Sequence, residues 1–210
     1  MSTNTVDNPF FARVWTVMSR HEPQALKRLR RENLAGLSGR VLEVGAGTGT
    51  NFEFYPDTVT EVVAVEPERR LAALAQQATA SASVPVTVSM ETVESFSSGE
   101  PFDAVVCSLV LCSVDNPEQV VQQLHSVLRS GGELRYLEHV ASSGGRARLQ
   151  KFADATIWPR MAGNCHTHRH TEETIVGAGF QIGGARREWT LPAWVPVPVS
   201  EFAIGRAIKG

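Results

Sequence analysis

A short apolar run, Val41-Leu42, leads through Glu43-Val44 into three alternating glycines, Gly45, Gly47 and Gly49. Glycine takes positive φ without steric cost and lets bare backbone approach a ligand that a β-carbon would push away. A strand that ends this way opens a nucleotide-shaped cleft. The spacing narrows the ligand. A dinucleotide fingerprint would place its third glycine at position 50, three residues after the second, and Thr50 stands there instead. The string from Glu43 to Gly49 is therefore E-x-G-x-G-x-G. A tight turn that merely packs well could also carry it, so the rest of the chain has to decide.

At 210 residues the chain suits one domain, which should bury about 70% of the surface its unfolded form exposes. The net charge of -2 and isoelectric point near 6.3 offer no excess of cations for a phosphate-binding face, which argues against nucleic acid as a partner. The basic cluster Lys27-Arg28-Leu29-Arg30-Arg31 lies between Glu22 and Glu32 and reads as a solvated helix face. Met1 to Asn8 are polar, and no apolar run approaches the ~18 residues of a membrane span, so a soluble cytoplasmic protein without stable membrane insertion is expected. Three cysteines, Cys107, Cys112 and Cys165, lack metal-type pairing and favour a reducing compartment over a disulfide framework. Oligomeric state is open between monomer and homodimer.

Residues 9–35 carry apolar positions at helical spacing, with Pro23 as a break, and form an appendage over 1–38 that could act as a lid on a domain spanning 39–210. From Arg40 the pattern alternates. Strands are predicted at 40–44, 61–66, 84–88, 102–107 and 133–139, with a helix near 49–54 and a second helix whose first turn holds Pro67. The next helix has the clearest punctuation: Asp115 or Asn116 as cap, Pro117 at its start and Gly131-Gly132 at its end. Repeated strand-helix alternation with short connections predicts an α/β, doubly wound, mainly parallel sheet, with ligands at the carboxyl ends of its strands. After Ala141 a helical stretch runs through Trp158, a short helix spans 171–178, and closing strands at about 180–190 and 200–208 flank the proline-rich segment 192–198.

The glycine string resembles the first motif of class I methyltransferases, whose cofactor is S-adenosylmethionine and whose product is S-adenosylhomocysteine. That resemblance implies a Rossmann-like sheet of seven strands. The cofactor's carboxylate and amino group would then lie near Gly45, Ala46, Gly47, Thr48 and Gly49, where amides at a helix start are unpaired, with Glu43 and Asn51 beside the turn. Glu66, followed by Pro67, ends the second predicted strand, where a carboxylate can accept from both ribose hydroxyls. Met90 and Glu91 are placed to frame an adenine, although Met90 could equally be core. Ser108 and Leu109, past the fourth strand, should lie near the reactive methyl.

NFEFYP directly after the glycines, VVCSLVLCSV through the fourth strand, VLRSGGELRYLEHV into the fifth, and the stretch from Cys165 to Arg169 extend the likeness. Together they resemble the methyltransferase-like thiol S-methyltransferases, the human methyltransferase-like protein 7 family, over about residues 24–208. The resemblance implies transfer of methyl from S-adenosylmethionine to an alkyl thiol, with a small molecule as the acceptor. Two departures stand out. The human branch carries a hydrophobic N-terminal segment where this chain has the amphipathic stretch 9–35. The family usually reads Gly-Cys before its equivalent of His166, where this chain has Asn164-Cys165, and often an acid where His170 stands.

The acceptor itself stays open among S-, O-, N- and C-nucleophiles, and a non-catalytic S-adenosylmethionine-fold binding protein is the alternative of a different class. Candidate groups on the acceptor side are His139 at the end of the fifth strand, His166, and Arg169, whose charge could lower a thiol's pKa. Cys165 with His166, His168 and His170 offers imidazole and thiolate, but without a C-x-x-C or second ligand cluster no metal is expected. Phe152, Trp158, Trp189 and Trp194 could line an apolar acceptor pocket or pack in the core.

Overall fold

The computed structural model describes residues 6–191, 195 and 197–210. Two helices lead, α1 over Pro9–Arg20 and α2 over Gln24–Leu34, separated at Pro23 as the sequence predicts. Seven strands follow: β1 Gly39–Val44, β2 Val59–Val65, β3 Val86–Ser89, β4 Phe102–Ser108, β5 Leu128–His139, β6 Phe180–Trp189 and β7 Glu201–Lys209. Between them lie α3 Arg69–Ala78, α4 Pro117–Val127, α5 Gly144–Asp154, α6 Trp158–Met161 and α7 Thr171–Gly177.

The sheet order is β3-β2-β1-β4-β5-β7-β6. β1 to β5 pair in parallel, whereas β7 runs antiparallel to both β5 and β6. The order turns back at β1 and β4, so their carboxyl ends flank the crevice where doubly wound sheets hold ligands. Alternate residues of the central strands feed two apolar layers. Leu42 and Val105 join Val120, Val121 and Leu124 of α4 on one face, while Val41 and Ala104 join Leu34, Phe52 and Ala75 on the other.

Several features differ from the sequence expectation. The helix predicted near 49–54 is a single 3-10 turn, Phe52–Phe54, because Tyr55 precedes Pro56 and is pushed to extended backbone at ψ 130°. Pro67 stands before α3 rather than in its first turn; Glu68 is the cap, its carboxylate accepting from the amides of Arg70 and Leu71. Asn116 caps α4, but the helix stops at Val127 and Gly131-Gly132 belong to an irregular start of β5. A β-carbon on Gly132 would sit 2.9 Å from the Arg129 carbonyl, so glycine is required by close strand packing there and not by a helix end. Arg30 is 2% exposed, which overturns the solvated-face reading of its basic cluster at that position.

Candidate functional site

The glycine turn sits where β1 leaves the sheet. Gly45, Gly47 and Gly49 have φ of 63°, 59° and 79°, and β-carbons built on them would strike Val110, Trp15 and Phe52 with Ala78 respectively. Bare backbone is therefore needed at all three. The amides are not free: Gly45 and Ala46 donate to the Val65 carbonyl, Gly49 donates to Ala46, and Gly47 donates to Glu66 at 2.7 Å. The expectation of unpaired turn amides fails at these positions, because β2 and Glu66 hold the turn from behind. Glu66 is at the end of β2, buried, and its other oxygen accepts from the amide of Glu68 at 2.9 Å. Burial pushes its carboxyl up to about 7, against the opposing pull of those two amides.

Beneath the turn runs a chain of buried polar groups. Arg30 bonds Glu22 and donates to the Asn51 oxygen at 3.0 Å; the Asn51 amide donates to Glu43 at 3.0 Å and to Ser108 at 3.2 Å; and the Tyr55 hydroxyl donates to Glu43 at 2.6 Å. Asn51 thus joins α2, β4 and Glu43, and Glu43 anchors Asn51 and Tyr55 to β1. Burial raises its carboxyl to about 7 despite the donors around it. Arg30 and Tyr55 were not assigned to the site from sequence, although Tyr55 lies within the NFEFYP stretch and Arg30 within the basic cluster; a basic side chain at an inward helical position beside Leu29 was the available signal.

The remaining cofactor candidates line the same end of the sheet. Pro67 gives its carbonyl to the Val6 amide at 3.1 Å. Thr48 is partly buried within the turn. Met90, just beyond β3, is 47% exposed and therefore not core, and Glu91 accepts from the Ser89 hydroxyl at 2.6 Å. Leu109 adopts φ 65° as β4 ends and donates its amide to Leu137 of β5. That left-handed residue, rare outside glycine, turns the chain so that Val110 meets Gly45.

The turn from Leu109 to Cys112 is where the acceptor-side candidates converge. Glu138, fully buried, accepts from the amides of Val110 at 2.9 Å, Leu111 at 3.0 Å and Cys112 at 3.1 Å. The sequence reading missed it, although an acid at the inner end of an apolar strand was a visible signal. Arg169 donates to the Leu111 carbonyl at 2.6 Å, and the His166 amide donates to the Cys112 carbonyl at 2.7 Å. His139 places Nδ1 at 3.7 Å from the Cys112 sulfur and 3.6 Å from that of Cys165. His168 and His170 meet edge to face, with ring centroids 5.5 Å apart and planes at 80°, and neither joins this group, so the alternating histidines do not gather around Cys165. Phe152 and Trp189 are 70% and 45% exposed and belong to neither a core nor an enclosed pocket; Trp158 is partly buried, and Trp194 lies outside the described residues.

A methyltransferase domain family matches residues 18–177, which takes in the glycine turn, Glu66 and the Leu109–Cys112 turn. This chain belongs to the methyltransferase-domain family. Thiol S-methyltransferase TMT1B of Mus musculus is 34% identical over 212 residues, covering 96% of this chain and 85% of the relative. Its Homo sapiens counterpart is 32% identical over 212 residues with the same coverage. The crystal structure of the N-methyltransferase NodS from Bradyrhizobium japonicum in complex with S-adenosyl-L-homocysteine shares the fold, with TM-score 0.66 and 17% identity over 96% of this chain and 88% of that one.

Proposed function

We propose that this methyltransferase moves the methyl group of S-adenosylmethionine onto the sulfur of a small apolar thiol, releasing S-adenosylhomocysteine. The observation that carries the reading is the 34% identity to a thiol S-methyltransferase over 96% of the chain. The strand end supports the reading: a glycine turn of positive φ lies beside a buried carboxylate at the tip of the neighbouring strand, with Val110, Trp15 and Phe52 packed on the glycine faces. The cofactor supplies a methyl already activated by its sulfonium. Gly45, Ala46, Gly47, Thr48 and Gly49 offer close approach, with Glu43 and Asn51 bracing them from below. Glu66 keeps lone pairs for ribose hydroxyls after taking two amides. Pro67, Met90 and Glu91 border the adenine end, and Ser108 and Leu109 the methionine end.

Catalysis then rests on holding the nucleophile in line and excluding water. A thiol of pKa ~8.5 is a few per cent thiolate at neutral pH, so positioning does much of the work. His139, His166 and Arg169 belong to the acceptor side, since all three bear on the Leu109–Cys112 turn. Within the N-terminal appendage α1 acts as the lid, with Trp15 covering Gly47, Phe11 against Gly163 and Asp7, just before it, paired with Arg70, while α2 is packed into the fold through Leu29, Arg30 and Leu34. Work in the cytoplasm as monomer or homodimer belongs to the same proposal; no helix among the described residues is long and apolar enough to cross a membrane.

Labelled S-adenosylmethionine incubated with alkyl thiols, phenols and amines tests the assignment. Labelled thioether is expected. Product from oxygen or nitrogen acceptors alone would reject the thiol, and cofactor binding without any turnover would favour a binding protein.

A further inference from the structure

Three side chains from three separate segments meet beside the Leu109–Cys112 turn. Cys112 follows β4, His139 ends β5, and Cys165 lies in the loop after α6. Their donor atoms form a nearly equilateral triangle: Cys112 Sγ to Cys165 Sγ 3.8 Å, Cys112 Sγ to His139 Nδ1 3.7 Å, and Cys165 Sγ to His139 Nδ1 3.6 Å. A tetrahedral zinc ion with Zn–S of about 2.3 Å and Zn–N of about 2.0–2.1 Å requires S···S of about 3.8 Å and S···N of about 3.6 Å. The observed edges match one face of that tetrahedron. A disulfide would need only the two sulfurs; an imidazole nitrogen equidistant from both is what a metal needs.

We propose that Cys112, His139 and Cys165 bind one zinc ion, with the fourth coordination position left open. Two thiolates and one neutral imidazole give a site that balances the charge of the dication, and binding sends the two thiol protons to solvent. Both sulfurs are buried, and the backbone around them is already fixed. Glu138 takes the Cys112 amide, the His166 amide takes the Cys112 carbonyl, and the Asn164 side chain, one residue before Cys165, donates to the Ser113 carbonyl at 2.8 Å. Outer partners of this kind orient metal ligands. The site stands whether or not the methyl acceptor is a thiol.

Untagged protein, produced with added zinc and purified under reducing conditions without chelator, should carry about one zinc per chain by mass spectrometry. X-ray absorption at the zinc edge should find two sulfur neighbours at about 2.3 Å and one nitrogen at about 2.0–2.1 Å. Cobalt added to metal-free protein should produce a thiolate charge-transfer band. Cys112→Ser, Cys165→Ser and His139→Ala should each weaken cobalt affinity by more than the about 10–100-fold that loss of an outer partner costs. Cys107→Ser, which alters a buried thiol outside the triangle, should keep the band. Folded wild-type protein that takes up neither metal overturns the proposal, as does a zinc with one sulfur neighbour or none. A charge-transfer band unchanged in Cys112→Ser overturns it too.

Discussion

The indole of Trp15 lies on the bare face of Gly47: a β-carbon built on this glycine would stand 2.7 Å from the indole Nε1. Gly47 also has φ 59°, so an alanine there meets two separate obstacles, the left-handed backbone and the ring. Gly47→Ala should destabilise the protein by about 1–2 kcal/mol from the backbone alone, and by more with Trp15 in place. In a Trp15→Ala background the cost should shrink toward the backbone part. Urea denaturation of the four proteins in this cycle reads the difference, and equal costs in both backgrounds would show that α1 does not rest on the turn.

Glu66 should be the main side-chain determinant of cofactor affinity. Removing its carboxylate loses charge-assisted hydrogen bonds to hydroxyls and frees the Gly47 and Glu68 amides it now holds. Glu66→Ala should weaken S-adenosylhomocysteine binding at least about tenfold, or about 1.4 kcal/mol, by calorimetry. Glu66→Gln, which keeps one acceptor oxygen, should fall between. Affinity equal to wild type in both variants would confine Glu66 to tying the turn.

How far the sequence reached can be judged at these residues. Alternating apolar strands and the Gly45-Gly47-Gly49 turn announced the sheet and its ligand end, because periodicity and backbone freedom are local properties. The place of Glu66 at a strand tip followed from its register. The Trp15 contact, the Arg30–Asn51–Glu43–Tyr55 chain and the gathering of Cys112, His139 and Cys165 depend on segments far apart in the chain. Spacing along one segment carries no sign of such partners. The same limit explains why His166, His168 and His170, regular in sequence, form no cluster with Cys165 in space.

Stability should fall as pH rises from 5 to 8. Glu43 has a folded pKa raised from 4.5 to about 7, so the folded state binds the proton more tightly than the unfolded state does. Its contribution is fully present below 4.5 and is lost as pH climbs through about 7. The shift corresponds to on the order of 3 kcal/mol for this group. Glu66 acts in the same direction, since burial raises it to about 7 as well. Glu43→Gln should therefore flatten part of the slope of urea midpoint against pH and leave the Glu66 part. A slope unchanged in Glu43→Gln would mean that the buried carboxyl is not protonated in this range.

Glu138 holds the turn on which the acceptor side is built, and its removal should be felt first in stability. One oxygen accepts from Val110 and Leu111, the other from Cys112, so both oxygens are needed. Glu138→Gln can keep an oxygen toward two of these amides, but its NH2 must then face the third N–H inside a fully buried site. One donor left unsatisfied there costs about 1–3 kcal/mol. Glu138→Ala strands all three donors and opens a cavity, so it should cost more and speed hydrogen exchange at Val110, Leu111 and Cys112. Denaturation midpoints with amide exchange distinguish this anchoring from a generic packing role. A Gln variant with wild-type stability and fully protected amides would show that the turn is held by Arg169 and His166 without Glu138.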